Sequence, residues 1–259
     1  VTTNAGYDTT WVALKGGTTT IVDFCTNEPG MNMMESLEYR LNVRSKGKLA
    51  PDMAIHACCT DYRGEETLDE IEELVKAGVP SMKLFLAYKP TPLYMDDYKL
   101  LNCLKKAGEV GMTMMVHAEN PDVLDYERNS MAEKGCLDPK YHYMTRPPYG
   151  EAEAVARAIR FADAMDCPLC VVHVSCEEAA KVIQQARAEG SLVIGETCPH
   201  YLVLDKHKMD DPDFDQAARW VCSPPLRDEE DREYLWKCLN HDWISIVGSD
   251  NSSIPLYQK

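Results

Sequence analysis

The stretch 80–89 reads PSMKLFLAYK, and it places Lys83 inside an apolar run that is typical of a buried strand. An unpaired ammonium group in such a strand is costly to desolvate. A lysine is therefore kept there when it is ion-paired or when its amine takes part in chemistry. The residues leave both uses open, with Glu119 or Glu196 as the partner in an ion pair.

Three further side chains that can bind a metal lie in or at the end of apolar runs of their own. His117 ends MMVH at 114–117, His173 lies in VVHV at 171–174, and Asp250 ends IVGSD at 246–250. Taken singly, a strand histidine is more often a satisfied core group, and a strand-end aspartate often caps the next helix. Because these residues and Lys83 belong to four separate strands, the joint pattern predicts a shared site.

Strand-like and helix-like segments alternate along the chain, and the strands are nearly continuous apolar runs. The pattern predicts seven strands, at 18–24, 52–58, 80–86, 112–117, 168–174, 192–197 and 243–248. Such strands indicate a parallel sheet covered by helices, either a barrel or a doubly wound sheet. The length of 259 residues suits a single (β/α) barrel domain over 1–259.

Composition narrows the functional classes. The net charge of −15 argues against nucleic acid and anionic membranes as partners, and no apolar stretch is long enough to span a bilayer. Phosphate-binding glycine motifs of nucleotide-binding proteins are absent from the sequence. The eleven cysteines form no paired CxxC motifs, which favours reduced core thiols in a cytoplasmic protein.

The predicted site suits metal-assisted hydrolysis. In parallel barrels, functional groups gather at the C-terminal ends of the strands. Neutral imidazoles and carboxylates are typical zinc ligands. A neutral lysine amine can capture carbon dioxide as a carbamate, and its two oxygens could bridge two metal ions. Such a binuclear centre holds hydroxide at neutral pH, and Asp250 could carry the proton to a leaving nitrogen.

Seven motifs resemble the cyclic amidohydrolases, and most closely the dihydropyrimidinases and D-hydantoinases. They are GGTTTIVDF at 16–24, SMKLFLAYK at 81–89, VHAEN at 116–120, VHVS at 172–175, GETCPHYL at 195–202, CSPPLR at 222–227 and GSD at 248–250. They cover nearly the whole chain in order. CPHYL also occurs in allantoinases, but SPPLR and LAYK favour the dihydropyrimidinase side.

The resemblance implies an amidohydrolase-type (β/α)8 barrel with two zinc ions bridged by carboxylated Lys83. It implies that His117 and His173 bind the second ion, and that Asp250 is both ligand and general base. The implied reaction is attack of a metal-bound hydroxide on the cyclic amide of a dihydropyrimidine or a 5-substituted hydantoin. The product would be an N-carbamoyl amino acid.

Three more residues receive implied substrate roles. Tyr88 would hydrogen-bond the substrate carbonyl and stabilise the oxyanion, although by itself it could be an ordinary aromatic at the rim. Ser223 would contact the ring through its backbone, and Phe85 would help wall the pocket. The partner is thus a small cyclic ureide or amide, and the resemblance implies a homotetramer for a full-length protein.

The sequence departs from the family at two places. The His-x-His pair that ends the family's first barrel strand is missing, and Asn251 and Ser252 stand where family members usually have histidine and cysteine. We therefore expect a truncated barrel with seven of eight strands, no β-sandwich and little or no activity by itself. Two alternatives are a non-catalytic dihydropyrimidinase-like assembly protein and an allantoinase-like ureide hydrolase.

Overall fold

The computed structural model describes residues 7–252, which form a parallel seven-stranded sheet with helices in the connections. The strands follow one another in chain order across the sheet. They are β1 (Thr20–Thr26), β2 (Asp52–Cys58), β3 (Ser81–Phe85), β4 (Thr113–His117), β5 (Leu169–Val171), β6 (Val193–Thr197) and β7 (Ile246–Val247). All seven predicted strands are present: β2 has the predicted bounds, and the other six lie within three residues of theirs.

Ten α-helices lie within the described residues. They are α1 (Trp11–Lys15), α2 (Met33–Tyr39), α3 (Glu65–Lys76), α4 (Asp97–Val110), α5 (Pro121–Glu133), α6 (Pro148–Ala164), α7 (Glu177–Glu189), α8 (Pro199–Val203), α9 (Phe214–Ala218) and α10 (Glu229–Asn240). A π-helical turn, Arg40–Arg44, continues α2, and 3-10 turns occupy Tyr7–Thr9, Pro139–Thr145 and Lys206–Asp210. None of the helices in the described range is long and apolar enough to cross a bilayer.

Local sequence explains where the helices begin and end. The Asp96 side chain accepts a hydrogen bond from the Lys99 backbone N–H and so caps α4, while Gly111 ends that helix at a positive φ of 74°. Asn120 caps α5, and Pro121 follows it at the first helical position, where no backbone N–H is needed.

The sheet is an incomplete barrel, as predicted. In residues 7–252, β1 pairs only with β2 and β7 pairs only with β6, so the two outer strands do not close the sheet. Their edges leave apolar side chains in solvent, since Val22 is 49% and Val247 48% exposed. Within the described residues, the edges near Ile21 and Ile246 have no further strand paired to them, as the sequence indicated.

The sheet separates a large core from a small one. Met82 and Leu84 of β3, like Met114 and Val116 of β4, belong to the large core between the sheet and its helices. The alternate residue Met115 joins Cys170, Val172 and Phe24 in the small cluster. Since strand side chains alternate between faces, Lys83 shares the face of Met115, its register partner.

Three helices, α2, α8 and α9, were not predicted, and α2 is the longest of them. Between β1 and β2 the chain forms α2, whose cap is a capping box in which the Asn32 and Glu35 side chains bond each other's backbone N–H. The following π-helical turn buries Arg40, which pairs with Asp23. Helix spacing alone did not reveal this segment, although N-x-x-E at 32–35 is a recognisable start signal.

Close packing of α4 predicts that Gly108→Ala destabilises the chain. A Cβ at Gly108 would lie 2.5 Å from the Met165 carbonyl oxygen, which is backbone and cannot move aside cheaply. Glycine to alanine in an open helix gains up to about 1 kcal/mol, whereas we expect a loss of about 1–3 kcal/mol from overpacking. Urea unfolding measures the difference.

Gly16→Ala is the matched control, because a Cβ there meets its nearest atom at an ordinary 3.4 Å. We expect that variant to lie within about 0.5 kcal/mol of the parent chain. Equal or greater stability of Gly108→Ala would show that α4 and the Met165 carbonyl are farther apart in solution.

Candidate active site

Two buried histidines meet at the C-terminal ends of β4 and β5. His117 is the last residue of β4, and His173 follows two residues after the end of β5. Their side chains approach so that His117 Nδ1 lies 3.0 Å from His173 Nε2. Both residues are almost fully buried, at 1% and 2% exposure. Two of the predicted metal ligands are therefore side by side.

Lys83 lies on the same face without a carboxylate partner. Its Nζ is 4.5 Å from the centre of the Phe24 ring and 5.0 Å from that of Phe85. No carboxylate in the described range lies within 4.0 Å of this amine, although the residue is only 6% exposed. The predicted alternative of an ion pair with Glu119 or Glu196 is thus wrong for direct contact. Lys83 still acts on its surroundings, because its charge opposes the rise in the Glu196 pKa that burial causes.

Glu119 bonds the far side of the His117 ring. Its Oε2 lies 2.7 Å from His117 Nε2 and also accepts a hydrogen bond from Arg146 Nη1. Burial acts to raise the Glu119 pKa, but the Arg146 charge and the His117 hydrogen bond together lower it to about 2. The carboxylate is therefore ionised near neutral pH, and it can only accept hydrogen bonds.

Burial also keeps His173 neutral. Desolvation, together with the nearby His117 and Lys83, holds the pKa of His173 well below its ordinary value. Neutral imidazole is the form that binds metals, because it has one bare ring nitrogen. The electrostatics of His173 thus favour ligand chemistry over an ionic role.

Aromatic residues enclose His117 on its remaining side. The His117 ring centre lies 5.1 Å from that of Tyr88 and 5.7 Å from that of Phe85. Burial raises the Tyr88 pKa to about 12, partly opposed by Arg146 and by a hydrogen bond with Ser223. Tyr88 is therefore a neutral phenol that can donate a hydrogen bond, and Ser223 lies in contact with it.

Asp250 lies three residues beyond β7 and is exposed. Its charge adds to the rise in the Glu196 pKa, which burial mainly causes. Glu196 in turn packs against Gly248, where a Cβ would lie 2.7 Å from the carboxyl carbon. This glycine therefore lets β7 approach β6 closely. Asp250 is at the predicted end of the sheet. It follows β7, whereas His173 follows β5, and β6 lies between these two strands.

Three predicted site residues have a strained backbone. Tyr88, His173 and Asp250 have φ values of 69°, 44° and 43°, in the left-handed region that L-residues rarely adopt. Such conformations cost about 1–3 kcal/mol each and cluster at functional sites. Only two other non-glycine residues among the described ones, both aspartates, have positive φ.

The donor set fits part of a metal centre. Two nitrogens bound tetrahedrally to one zinc at 2.0–2.1 Å would lie about 3.3 Å apart, close to the spacing of the histidine pair. Within residues 7–252, no three His, Cys, Asp or Glu side chains are grouped closely enough to hold an ion. The described chain thus supplies two imidazoles and a nearby amine, and the metal ligand roles of Lys83 and Asp250 remain predictions.

Sequence reasoning missed a buried polar cluster behind the site. Arg227 donates to Ser175 Oγ at 3.0 Å and to Glu151 Oε2 at 2.9 Å, and it also bonds the Arg146 carbonyl oxygen. Arg227 was visible only as the last letter of SPPLR. Glu151 and Arg146 carried no local signal, because their partners lie far away in the sequence.

The comparisons identify the relatives of this arrangement. A D-hydantoinase of Geobacillus stearothermophilus is 40% identical over 245 residues, which is 94% of this chain and 51% of that protein. The crystal structure of the dihydropyrimidinase from Brevibacillus agri NCHU1002 superposes with a TM-score of 0.92 at 41% identity, over 98% of this chain and 54% of that one. The chain is homologous to the D-hydantoinases and dihydropyrimidinases.

This homology extends less strongly to allantoinases. An allantoinase of Salmonella newport is 33% identical over 258 residues, covering 96% of this chain and 55% of that protein. The chain spans about half the length of the curated relatives it matches. No protein-family model matches it. The half-barrel seen in the structure corresponds to the hydantoinase fold.

The loop that carries Ser223 in this hydantoinase homologue depends on a neutral histidine. His142 Nε2–H donates to the Cys222 carbonyl oxygen at 2.8 Å, and burial lowers the His142 pKa to about 4. By contrast, the exposed His207 bonds Asp210, which raises its pKa. We expect nuclear magnetic resonance titration to show His142 neutral down to about pH 4, while His207 titrates above its ordinary range.

The same shift predicts a pH dependence of stability. Between the ordinary histidine pKa and about 4, the unfolded chain binds a proton at position 142 that the folded chain does not. Stability contributed by neutral His142 is therefore lost as the pH falls through this window. His142→Gln should flatten that part of the stability curve. A His142 that titrates at the ordinary value would contradict the buried bond to Cys222.

Proposed function

We propose that this chain is part of a metal-dependent hydrolase that opens the cyclic amide of a dihydropyrimidine or a 5-substituted hydantoin. The observation that carries the proposal is the convergence of His117 Nδ1 and His173 Nε2, 3.0 Å apart. It occurs in a chain that is about 40% identical to D-hydantoinases over nearly its whole length. The product is an N-carbamoyl amino acid, because water adds across the ring C–N bond.

The buried amine of Lys83 fits a bridging carbamate. The amine attacks carbon dioxide, forms an N–C bond and releases one proton, which leaves a carboxylate on the nitrogen. The rings of Phe24 and Phe85 stabilise a cation only by weak contacts, and no carboxylate in the described range neutralises it. Carbon dioxide reacts with the uncharged form of the amine.

The remaining residues act on the substrate. The Tyr88 hydroxyl donates to the ring carbonyl and stabilises the negative charge that develops on its oxygen. Asp250 takes a proton from the attacking water and returns it to the ring nitrogen as the C–N bond breaks. Ser223, in contact with Tyr88, positions the ring through its backbone, and Phe85 forms an apolar wall.

Metal ions fit beside these groups. Two zinc ions would be held by His117, His173, Asp250 and carboxylated Lys83. Bound zinc supplies a Lewis acid that activates water at neutral pH. We also propose a cytoplasmic homotetramer as the working form, in keeping with the eleven free thiols and the family resemblance.

The alternatives receive less support. The allantoinase relative is 33% identical, compared with 39–40% for the D-hydantoinases, which favours hydantoin-type rings. A non-catalytic assembly role would not require two buried histidines whose side chains meet, nor the strained backbone of His173. We therefore keep ring hydrolysis as the proposed activity.

Ring opening is tested with the purified chain and with the chain restored at both ends by the flanking segments of a D-hydantoinase. With zinc and bicarbonate, we expect the restored chain to hydrolyse dihydrouracil and hydantoin and to leave allantoin largely intact. The unrestored chain should show little or no activity, since it lacks a His-x-His pair. Chromatography of the N-carbamoyl product measures both.

In the restored chain, His173→Ala should lower the rate of ring hydrolysis at least about a hundredfold, because the substitution removes a proposed metal ligand. His241→Ala is the control, because this histidine is exposed and lies at the C-cap of α10. A restored, folded chain that binds zinc but opens neither ring would refute the proposed function. A chain that hydrolyses allantoin faster than dihydrouracil or hydantoin would instead support the allantoinase-like alternative.

The carbamate gives a separate prediction for Lys83. Carbon-13 bicarbonate should add one carbonyl resonance to the spectrum of the zinc-loaded protein, and Lys83→Arg should remove it. Lys106→Arg is the control, because Lys106 is ion-paired with Glu72 and so holds its proton. A resonance that survives Lys83→Arg, or one that never appears in a metal-loaded active protein, would show that Lys83 binds metal or substrate differently.

A further inference from the structure

A set of hydrogen bonds links Arg227 to His117 and to the turn that carries His173. It runs from Arg227 through Arg146 and Glu119 to His117, and from Arg227 through Ser175 to the segment that carries His173. We infer that Arg227 and Glu119 are positioning residues that aim the two ring nitrogens at one metal ion. This inference deepens the proposed function, and it rests on that function only for the identity of the ion.

The His117 end of the set fixes a tautomer. A carboxylate can only accept, so the Glu119 oxygen at 2.7 Å requires that His117 Nε2 carries the proton. The other nitrogen, Nδ1, then presents its lone pair to the space shared with His173. A carboxylate behind a histidine ligand is a general device for setting ring orientation.

The His173 ring has no such support of its own. Its Nδ1 is buried and has no hydrogen-bond partner in the described part of the chain. The tautomer of the pair is therefore set from the Glu119 side, through the contact between His117 Nδ1 and His173 Nε2. What holds His173 in place is its backbone.

Glu196 accepts a hydrogen bond from the His173 backbone, and Glu151 and Ser175 hold the turn that follows. Ser175, two residues after His173, donates its backbone N–H to Glu151 Oε1 at 2.9 Å and its hydroxyl to Glu151 Oε2 at 2.5 Å. Glu151 and Ser175 are 2% and 1% exposed. These bonds anchor the turn in which His173 adopts its strained φ of 44°.

Arg227 joins the two halves. Its Nη2 bonds Glu151 and its Nε bonds Ser175, while its Nη1 bonds the backbone carbonyl of Arg146. The Arg146 side chain in turn bonds Glu119. A guanidinium can make these bonds at once because its donors form a rigid planar fork, which a lysine cannot reproduce.

The test reads the tautomer directly in the metal-free chain. Nitrogen-15 histidine correlation spectra at mildly alkaline pH, with His117→Gln to assign the signal, should show the His117 proton on Nε2. Glu119→Gln keeps an acceptor oxygen and should keep this tautomer, whereas Glu119→Ala should give a mixture. Zinc or cobalt affinity, measured by chelator competition, should fall by about 10–100-fold in Glu119→Ala.

Arg227→Lys should also mix the tautomers and weaken metal binding. Arg40→Lys is the matched control, because Arg40 is a fully buried, ion-paired arginine outside this set of bonds. Its thermal stability should fall by a similar amount while the His117 tautomer and metal affinity stay as in the parent chain. If Arg227→Lys does not fold, the variants Glu119→Gln and Glu119→Ala still show whether Glu119 sets the tautomer of His117.

A His117 proton on Nδ1 in the parent chain, or an unchanged tautomer in Glu119→Ala, would overturn the inference. Equal effects of Arg227→Lys and Arg40→Lys on the spectrum would overturn the part assigned to Arg227. If the tautomers and metal affinities are as expected but the restored chain opens no ring, the proposed function is refuted and this inference still holds.

Discussion

The parallel register of β3, β4 and β5 is the constraint on which the site depends. Phe85 pairs with His117, and Val116 pairs with Val171, so the ends of these strands lie together. Since side chains alternate, Lys83 and Phe85 lie on the same face as His117. A slip of one residue in either pairing would turn the histidine into the helix-covered core. The apolar residues on the other face, such as Leu84 and Val116, are fully buried and make such a slip costly.

Backbone strain is concentrated where the chain leaves this sheet. Tyr88, His173 and Asp250 each adopt a left-handed φ within three residues of a strand end, and each is a predicted site residue. Strain of this kind persists only where surrounding bonds fix the conformation. For His173, the buried Glu151 and Ser175 provide those bonds. The same contacts that hold the fold together at this edge therefore also fix the direction of a side chain.

The sequence was informative where the signal is local. A lysine inside PSMKLFLAYK, and two histidines in apolar strands, could be recognised because apolar runs of that length indicate buried strands. The contact between His117 and His173 could be expected but not its geometry, because the observed β5 ends at Val171 and leaves His173 in a turn. The capping box of α2 was a local signal that was not used.

The part that could not be predicted consists of long-range polar contacts. Arg146 bonds a carboxylate 27 residues away, and Arg227 bonds one 76 residues away, so no short motif connects either pair. Which carboxylate meets which arginine is decided only when the strands and helices have assembled. Composition and periodicity describe burial well, but they do not describe partners that come from different βα units.

Stability alone does not account for these buried charges. Desolvating two ions consumes most of their attraction, and apolar replacements of buried ion pairs are often neutral or more stable. Glu151 and Arg227 are 2% and 5% exposed, and Glu119 is 1% exposed, so these three charges are almost completely removed from water. Hydrogen bonds between these charges do, however, fix the orientation of the side chains that make them, which apolar packing does less strictly. Within residues 7–252 the sheet does not close around the histidines, so these directional bonds restrict the orientation of the His117 ring and of the turn that carries His173.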